Sequence, residues 1–228
     1  MAQDATLRNI GLVAANIEGG GYVGGLVGSQ YIGGSISNVY ATGSVSGIQH
    51  VGGLVGSQDG SISNAYATGS VSSSGGRIGG LVGEQRGSIS NAYATGSVSG
   101  TTLVGGLVGE QRGSISNAYA TGQVSGSDYV GGLVGTQQTD SISNAYATGL
   151  VTGTGHYVGG LVGTQYGSIY NAYATGPVSG IGYVGGLVGY QGSGSSISNA
   201  YATGPVSGSD TVGGLVGQQA DGSISNTY

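Results

Sequence analysis

An internal repeat of 26 to 28 residues dominates this sequence and limits the folds open to it. One block, which reads Val51-Gly-Gly-Leu-Val-Gly-Ser-Gln58 in its second copy, occurs eight times. A second block, Ser61-Ile-Ser-Asn-Ala-Tyr-Ala-Thr-Gly-Ser-Val-Ser-Ser73, alternates with it. Length varies only after the Gln and after the Val-Ser-Gly, and insertions are tolerated where backbone is exposed. The blocks are therefore predicted to be paired strands, and the two variable sites are predicted to be corners.

The residues of the repeat favour strands over helices. Val, Ile, Thr and Tyr recur in short runs that glycines separate, which is typical of strands. The chain has 54 glycines in 228 residues, and each would cost about 1 kcal/mol in a helix relative to alanine. We predict an all-β fold, a parallel β-solenoid of about eight coils of 26–28 residues with about three short strands per coil. At a strand spacing of about 4.8 Å the rod is roughly 40 Å long.

The two ends of the chain differ from each other. Residues 1–22 contain Thr6-Leu-Arg-Asn-Ile-Gly-Leu, a degenerate copy of the second block, and are predicted to cap the solenoid formed by residues 23–228. The last coil stops within a block, at Ser223-Ile-Ser-Asn-Thr-Tyr228. An uncovered strand edge pairs readily with another chain, so we expect end-to-end self-association through the open C-terminal coil.

Stacked coils turn each repeated position into a column of identical side chains. The Asn and Gln columns are filled in every copy, and in-register amides can donate to one coil and accept from the other. We therefore predict that these columns are structural ladders. Four central members of each are Asn64, Asn91, Asn117, Asn144, Gln58, Gln85, Gln111 and Gln137.

The tyrosine column is the candidate binding face. Strand alternation allows Ala65 and Ala67 to point inward with Tyr66 and Thr68 outward, or the reverse. The cost of burying hydroxyl groups favours the outward phase. That phase exposes one surface made of Tyr66, Thr68, Tyr93, Thr95, Tyr119, Thr121, Tyr146, Thr148, Tyr173, Thr175, Tyr201 and Thr203.

Composition argues against several classes of function. The net charge of −5 and a pI near 4.5 disfavour nucleic acid as a partner. No apolar stretch is long enough to insert into a membrane. The first nine residues lack a signal-peptide pattern, so any export signal is expected outside this chain. The absence of cysteine excludes thiolate sites.

The few reactive side chains predict no catalytic or metal centre. His50 and His156 lie four repeats apart, roughly 19 Å at strand spacing, and are predicted to be solvated corner residues. The sequences Glu84-Gln-Arg86 and Glu110-Gln-Arg112 occupy adjacent coils. They predict an exposed ion cluster of small energetic worth, with contact to carbohydrate or protein as the alternative. We predict no cofactor.

The two blocks together resemble the GLUG repeat, a family named for its Gly-Leu-aliphatic-Gly core. The resemblance covers about residues 6–228. It implies a non-catalytic, secreted or surface-displayed region of a bacterial adhesin-like protein. The Gln that closes the glycine block departs from the small polar residue expected there.

Three functions remain open. The first is an adhesive or structural rod whose repeated Tyr, Thr, Ser and Gln faces bind extracellular glycan or protein weakly at many points. The second is an ice-binding solenoid that uses the threonine row. The third and most distant is a polysaccharide-processing enzyme, which would need convergent acidic and basic residues on one face.

Overall fold

A computed structural model describes residues 4–228. Within that range its regular secondary structure consists of β-strands alone. The strands form four parallel sheets of nine, eight, eight and eight strands. Each strand pairs with its copy one repeat away, so that Ile89 lies between Ile62 and Ile115. The predicted parallel β-solenoid of about eight coils is confirmed. Residues 1–3 of the predicted cap lie outside the described part.

The sheets are numbered here in the order in which a coil visits them. Sheet 1 contains Thr6–Leu12, Ser35–Ala41, Ser61–Ala67, Ser88–Ala94, Ile115–Ala120, Ser141–Ala147, Ser168–Ala174, Ser196–Ala202 and Ser223–Thr227. Sheet 2 contains Ile17–Glu18, Val45–Gly47, Val71–Ser73, Val98–Ser99, Val124–Gly126, Val151–Gly153, Val178–Ser179 and Val206–Ser207. Sheet 3 contains Val23–Gly24, Val51–Gly52, Gly76–Gly79, Thr102–Gly105, Asp128–Gly131, His156–Gly159, Gly182–Gly185 and Val212–Gly213. Sheet 4 contains Val27–Gln30, Val55–Gln58, Val82–Gln85, Val108–Gln111, Val134–Gln137, Val162–Gln165, Val188–Gln191 and Val216–Gln219.

Each coil has four strands and not the predicted three, because the glycine block is two strands joined by a sharp bend. Sheet 3 folds back on sheet 4 so tightly that a methyl group at Gly79 would collide with the Val82 carbonyl oxygen of its own coil. Glycine is the residue that permits such a backbone approach. The bend therefore makes the coil thin and brings its two corners toward each other.

The core is divided into two apolar stacks that run the length of the rod. One stack lies between sheets 1 and 4 and consists in each coil of the Ile, the two Ala, the Leu and the second Val of the blocks. The other lies between sheets 2 and 3 and consists mainly of valines such as Val71 and Val104. Burial of such aliphatic columns supplies about 25 cal/mol per Å².

The N-terminal stretch joins sheet 1 in the register expected of a degenerate second block. Thr6 pairs with Ser35, Leu7 with Ile36 and Leu12 with Ala41. Its equivalence to the second block is confirmed, whereas its role as a cap stays a prediction.

Candidate functional site

The tyrosine column forms a continuous stack on the outside of sheet 1. Eight rings, from Tyr40 to Tyr228, lie with centroids 4.8 to 5.1 Å apart and planes within 4° of parallel. Ala65 and Ala67 are each 1% exposed, so the outward phase of the column is confirmed. Burial against neighbouring rings raises the pKa of the Tyr119 phenol, and Tyr146 and Tyr93 raise it further.

The threonine row lies beside the tyrosine stack, where sheet 1 ends. Each of these threonines is exposed and is followed by the glycine of the bend into sheet 2. The structure thus brings all twelve predicted residues of the candidate face onto one surface, with the tyrosines half-buried. The threonines are Thr68, Thr95, Thr121, Thr148, Thr175 and Thr203.

The asparagine column is exposed, which corrects the expectation of a ladder that satisfies buried amides. Asn64 Nδ2 donates to Asn38 Oδ1 at 3.1 Å, and Asn171 bonds to Asn144 in the same way at 3.2 Å. The stronger requirement is in the backbone. Every Asn of the column has a φ between 49° and 56°, including Asn91 and Asn117. Asparagine tolerates this left-handed conformation better than most residues, and it makes a kink inside each strand of sheet 1 at a position that the strand pairing skips.

The glutamine column is buried and bonds to backbone, so the predicted bonds between neighbouring Gln amides are wrong. Gln137 Nε2 donates to the Asp140 carbonyl at 2.9 Å in its own coil and to the Ser168 carbonyl at 3.1 Å in the next. Gln58, Gln85 and Gln111 are 0% exposed and bond to backbone in the same manner. These side chains close the corner between sheets 4 and 1, and they cannot present amides to a ligand.

A second surface, which sequence reasoning missed, lies outside sheets 3 and 4. We call it the variable face, because its three columns change from coil to coil. The first column precedes the glycine block's first Val or Ile and contains His50, Arg77, Leu103, Tyr129, Tyr157 and Tyr183. The second column lies in sheet 4 and contains Ser57, Glu84, Glu110, Thr136, Thr164 and Tyr190. The third follows the Gln and contains Asp59, Arg86, Arg112, Gln138 and Tyr166.

The first column of the variable face has a left-handed backbone. Its six residues have φ between 46° and 64°, although none is glycine or asparagine. Such strain is held in place by surrounding structure and is found preferentially at functional sites. One pattern in the sequence could have indicated this surface. The positions that directly border the two variable corners carry charged residues in some coils and aromatic residues in others.

The charged part of the variable face is centred on Glu84, and the prediction of an exposed cluster is wrong for its carboxylate. Glu84 is 2% exposed. Its Oε1 lies 2.7 Å from Arg86 Nη2 and 3.3 Å from Arg112 Nη1, and its Oε2 lies 3.1 Å from His50 Nε2. His50 of the first column and the two arginines of the third column cover the carboxylate, which explains its burial.

Glu110 repeats this arrangement one coil further on. It is 3% exposed, and it pairs with Arg112 at 2.7 Å and with Arg77. Asp59 bonds to the outer side of Arg86 at 3.2 Å. Each of the two buried carboxylates is thus held by two guanidinium groups.

The two histidines occupy different environments. The side chain of His50 is 13% exposed, so its prediction as a solvated residue is wrong. Burial lowers the pKa of His50, and although Glu84 raises it, Arg77 and Arg86 lower it further, so the net direction is downward. His156 is exposed, and its backbone N–H donates to Asp128 Oδ1 at 2.7 Å.

The remaining part of the variable face is aromatic. Tyr129, Tyr157 and Tyr183 stack with centroids 4.9 and 5.2 Å apart. Tyr190 meets Tyr157 edge-on at 5.9 Å, and Tyr166 lies 6.3 Å from Tyr190. Two members of this group, Tyr129 and Tyr166, line a cavity.

Comparison with protein families found one match. The family model described as the GLUG motif matches residues 19–46, 47–72, 74–99, 100–125, 126–152, 154–179 and 180–207. Comparison with the curated proteins and with the solved structures found no significant match. Among residues 4–228, no helix is long and apolar enough to cross a membrane.

Proposed function

The chain belongs to the GLUG-motif family, and on this premise we propose that it is a non-enzymatic module of a secreted or surface-displayed, adhesin-like bacterial protein. In this proposal the solenoid is a rigid scaffold. Its outer rows of tyrosine, threonine and serine bind extracellular glycan or protein weakly at many equivalent positions. The glutamine row, being buried, takes no part in binding.

The observation that carries the proposal is the regular outward stack of tyrosines beside the exposed threonines. Each coil repeats the same amphipathic ring and the same hydroxyl at one strand spacing. Tyrosine is favoured at binding surfaces because it offers a large apolar body and a polar tip at low entropic cost. Weak contacts repeated along a rigid rod combine through effective concentration, which strengthens binding without any single strong site.

A non-enzymatic role is supported by the side chains of the two surfaces. The tyrosine face repeats one uncharged pattern in every coil. On the variable face, Glu84 and Glu110 are each engaged by two arginines. Catalysis needs a unique constellation with a poised acid, base or nucleophile, and these positions supply none of the three.

The test is a solid-phase binding assay against immobilised glycans and extracellular-matrix proteins. The wild-type chain is compared with variants in which Tyr66, Tyr93 and Tyr119 are changed to Ser one, two and three at a time. Multivalent binding predicts that the loss grows more than proportionally with each change. Tyr31→Ser, which alters an exposed tyrosine outside the stack, is the control. Absence of binding to every immobilised partner would leave the module a spacer only.

Ice binding is the second candidate, and the exposed threonine row is the observation that favours it. Threonines at strand spacing form a regular array of methyl and hydroxyl groups, but the adjoining tyrosine stack makes the surface bulky. Beyond the bend the next position changes from Ser70 to Gln123, Leu150 and Pro177. Thermal hysteresis and ice-crystal shaping test this directly, and no effect at high protein concentration would eliminate it.

A further inference from the structure

The aromatic part of the variable face contains a cavity of about 430 Å³. It is lined by Leu103, Tyr129, Thr136, Gln138, Thr164 and Tyr166, and we call it the tyrosine pocket. Its volume lies in the range of roughly 300–1,000 Å³ that is usual for sites of small ligands. The pocket exists because the Gly-Gly bend brings the first and third columns to opposite sides of the second.

The pocket has aromatic walls and a hydroxyl floor. Tyr129 comes from the first column and Tyr166 from the third, while Thr136 and Thr164 form the floor and are each 2% exposed. Thr164 Oγ1 donates to Thr136 Oγ1 at 2.9 Å. A hydroxyl has one hydrogen to donate and two lone pairs. Because one hydroxyl of the pair donates to the other, one of the two hydroxyl hydrogens remains for a further acceptor.

The pocket is uncharged, and the column that forms its floor changes chemistry on both sides. No lining residue is ionised at neutral pH. On one side the next floor position is Glu110, which is neutralised by Arg112 at 2.7 Å. On the other side it is Tyr190, whose ring approaches Tyr166. The lining residues come from three successive coils, which span two strand spacings or about 10 Å along the rod, a length that accommodates one or two sugar rings.

We propose that the tyrosine pocket binds a neutral saccharide, as one or two pyranose rings of a glycan chain. The apolar C–H faces of the sugar would lie against Tyr129 and Tyr166. Its hydroxyls would bond to Thr136, Thr164 and the exposed amide of Gln138. This inference deepens the proposed binding function, because it names a ligand class and a site distinct from the tyrosine stack of sheet 1.

The shape and chemistry of the pocket favour a sugar over a proline-rich peptide, which aromatic grooves also commonly bind. Proline-rich peptides bind along extended grooves as extended helices, whereas the residues that line this pocket come from only three coils. Its buried floor offers hydroxyl groups, which match the dense donor and acceptor pattern of a saccharide. An ionic ligand has no partner here, since Glu110 and Arg112 already pair with each other.

The test is calorimetric titration of the full chain with neutral oligosaccharides. The panel holds hexamers of β-1,4-linked glucose, mannose, xylose and N-acetylglucosamine, and of α-1,4-linked glucose. We expect at least one to bind. Thr136→Val keeps the side-chain volume and removes the hydroxyl, so affinity should fall by about tenfold. Tyr166→Ala should lower it by at least about tenfold. Circular dichroism verifies that each variant is folded.

Matched controls separate the pocket from the rest of the surface. Tyr31→Ala removes an exposed tyrosine of the same column outside the pocket, and Thr68→Val removes an exposed hydroxyl of the threonine row. Both should leave affinity unchanged.

Three results would overturn the inference: no binding to any member of the panel, binding that survives both pocket variants, or a proline-rich peptide that occupies the pocket instead. Binding that is lost only with Tyr66→Ala would also refute the pocket, while leaving the proposed function of the tyrosine stack intact.

Discussion

A methyl group added at Gly132 should destabilise the solenoid strongly, because this glycine lies directly beneath the next coil. The added Cβ would collide with the Gly160 carbonyl oxygen and lie 2.9 Å from Ala147 Cβ. The φ angle of Gly132 is not positive, so alanine fits the backbone conformation itself. The cost arises from the spacing of the coils alone.

The size of this loss of stability depends on which backbone contacts between the coils must open. Relief of the collision requires the two coils to separate around the Gly-Gly bend. Three backbone hydrogen bonds cross there: Gly132 to Gly159 at 3.2 Å, Leu133 to Leu161 at 2.9 Å and Val134 to Leu161 at 3.0 Å. Overpacking of about 1–3 kcal/mol and the loss of about 1 kcal/mol for each of the three bonds give a total loss of about 4–6 kcal/mol.

Gly214 supplies a matched control, since it occupies the same column and has no neighbouring atom within 4 Å of a built Cβ. Gly214→Ala should be neutral or stabilising by about 0.4–1 kcal/mol, through the entropy of the unfolded chain. Thr121→Ala, exposed in a central coil, controls for position and should change stability by no more than about 0.5 kcal/mol.

Urea unfolding followed by circular dichroism measures all three variants. Equal midpoints for Gly132→Ala and Gly214→Ala would refute the close approach of the coils, and with it the reason for the paired glycines.

Three further predictions concern the two surfaces. Glu84→Gln removes a buried charge while its arginines turn to solvent, so the free energy of unfolding should fall by about 1–3 kcal/mol. The exposed Glu18→Gln should change little, and equal losses would contradict the burial argument. Because burial lowers the pKa of His50 below its ordinary value of 6.5, the unfolded state binds its proton more readily, and stability should decline as pH falls below 6.5. The pH profile of His50→Gln should lack this component; identical profiles would show that His50 does not contribute. Tyr119→Ala breaks two ring contacts, each worth about 0.5–1.5 kcal/mol, and should lower the urea midpoint more than Tyr31→Ala, which breaks no contact of the stack. Equal midpoints for the two variants would show that the stacked rings do not stabilise the solenoid.

Much of the fold could be predicted from the repeat because strand alternation and coil stacking are local rules. Two-residue periodicity placed Ala65 inward and Tyr66 outward, and the period of the blocks set the coil. The left-handed asparagine and the backbone bonds of the buried glutamine escaped the same reasoning. A column of amides is compatible with several hydrogen-bonding patterns, and only the path of the backbone selects one.

The geometry of the variable face depends on a distance that the sequence does not contain. Repetition and strand alternation in the sequence indicate which positions recur, which point inward, and that variation is confined to two corners. The sequence contains no measure of the distance between those corners, which eight residues separate along the chain. The tertiary structure decided that distance, because the Gly-Gly bend folds sheet 3 against sheet 4 and places Tyr129 and Tyr166 around Thr136. Burial of Glu84 follows from the same bend, since His50 from one corner and two arginines from the other then cover one carboxylate.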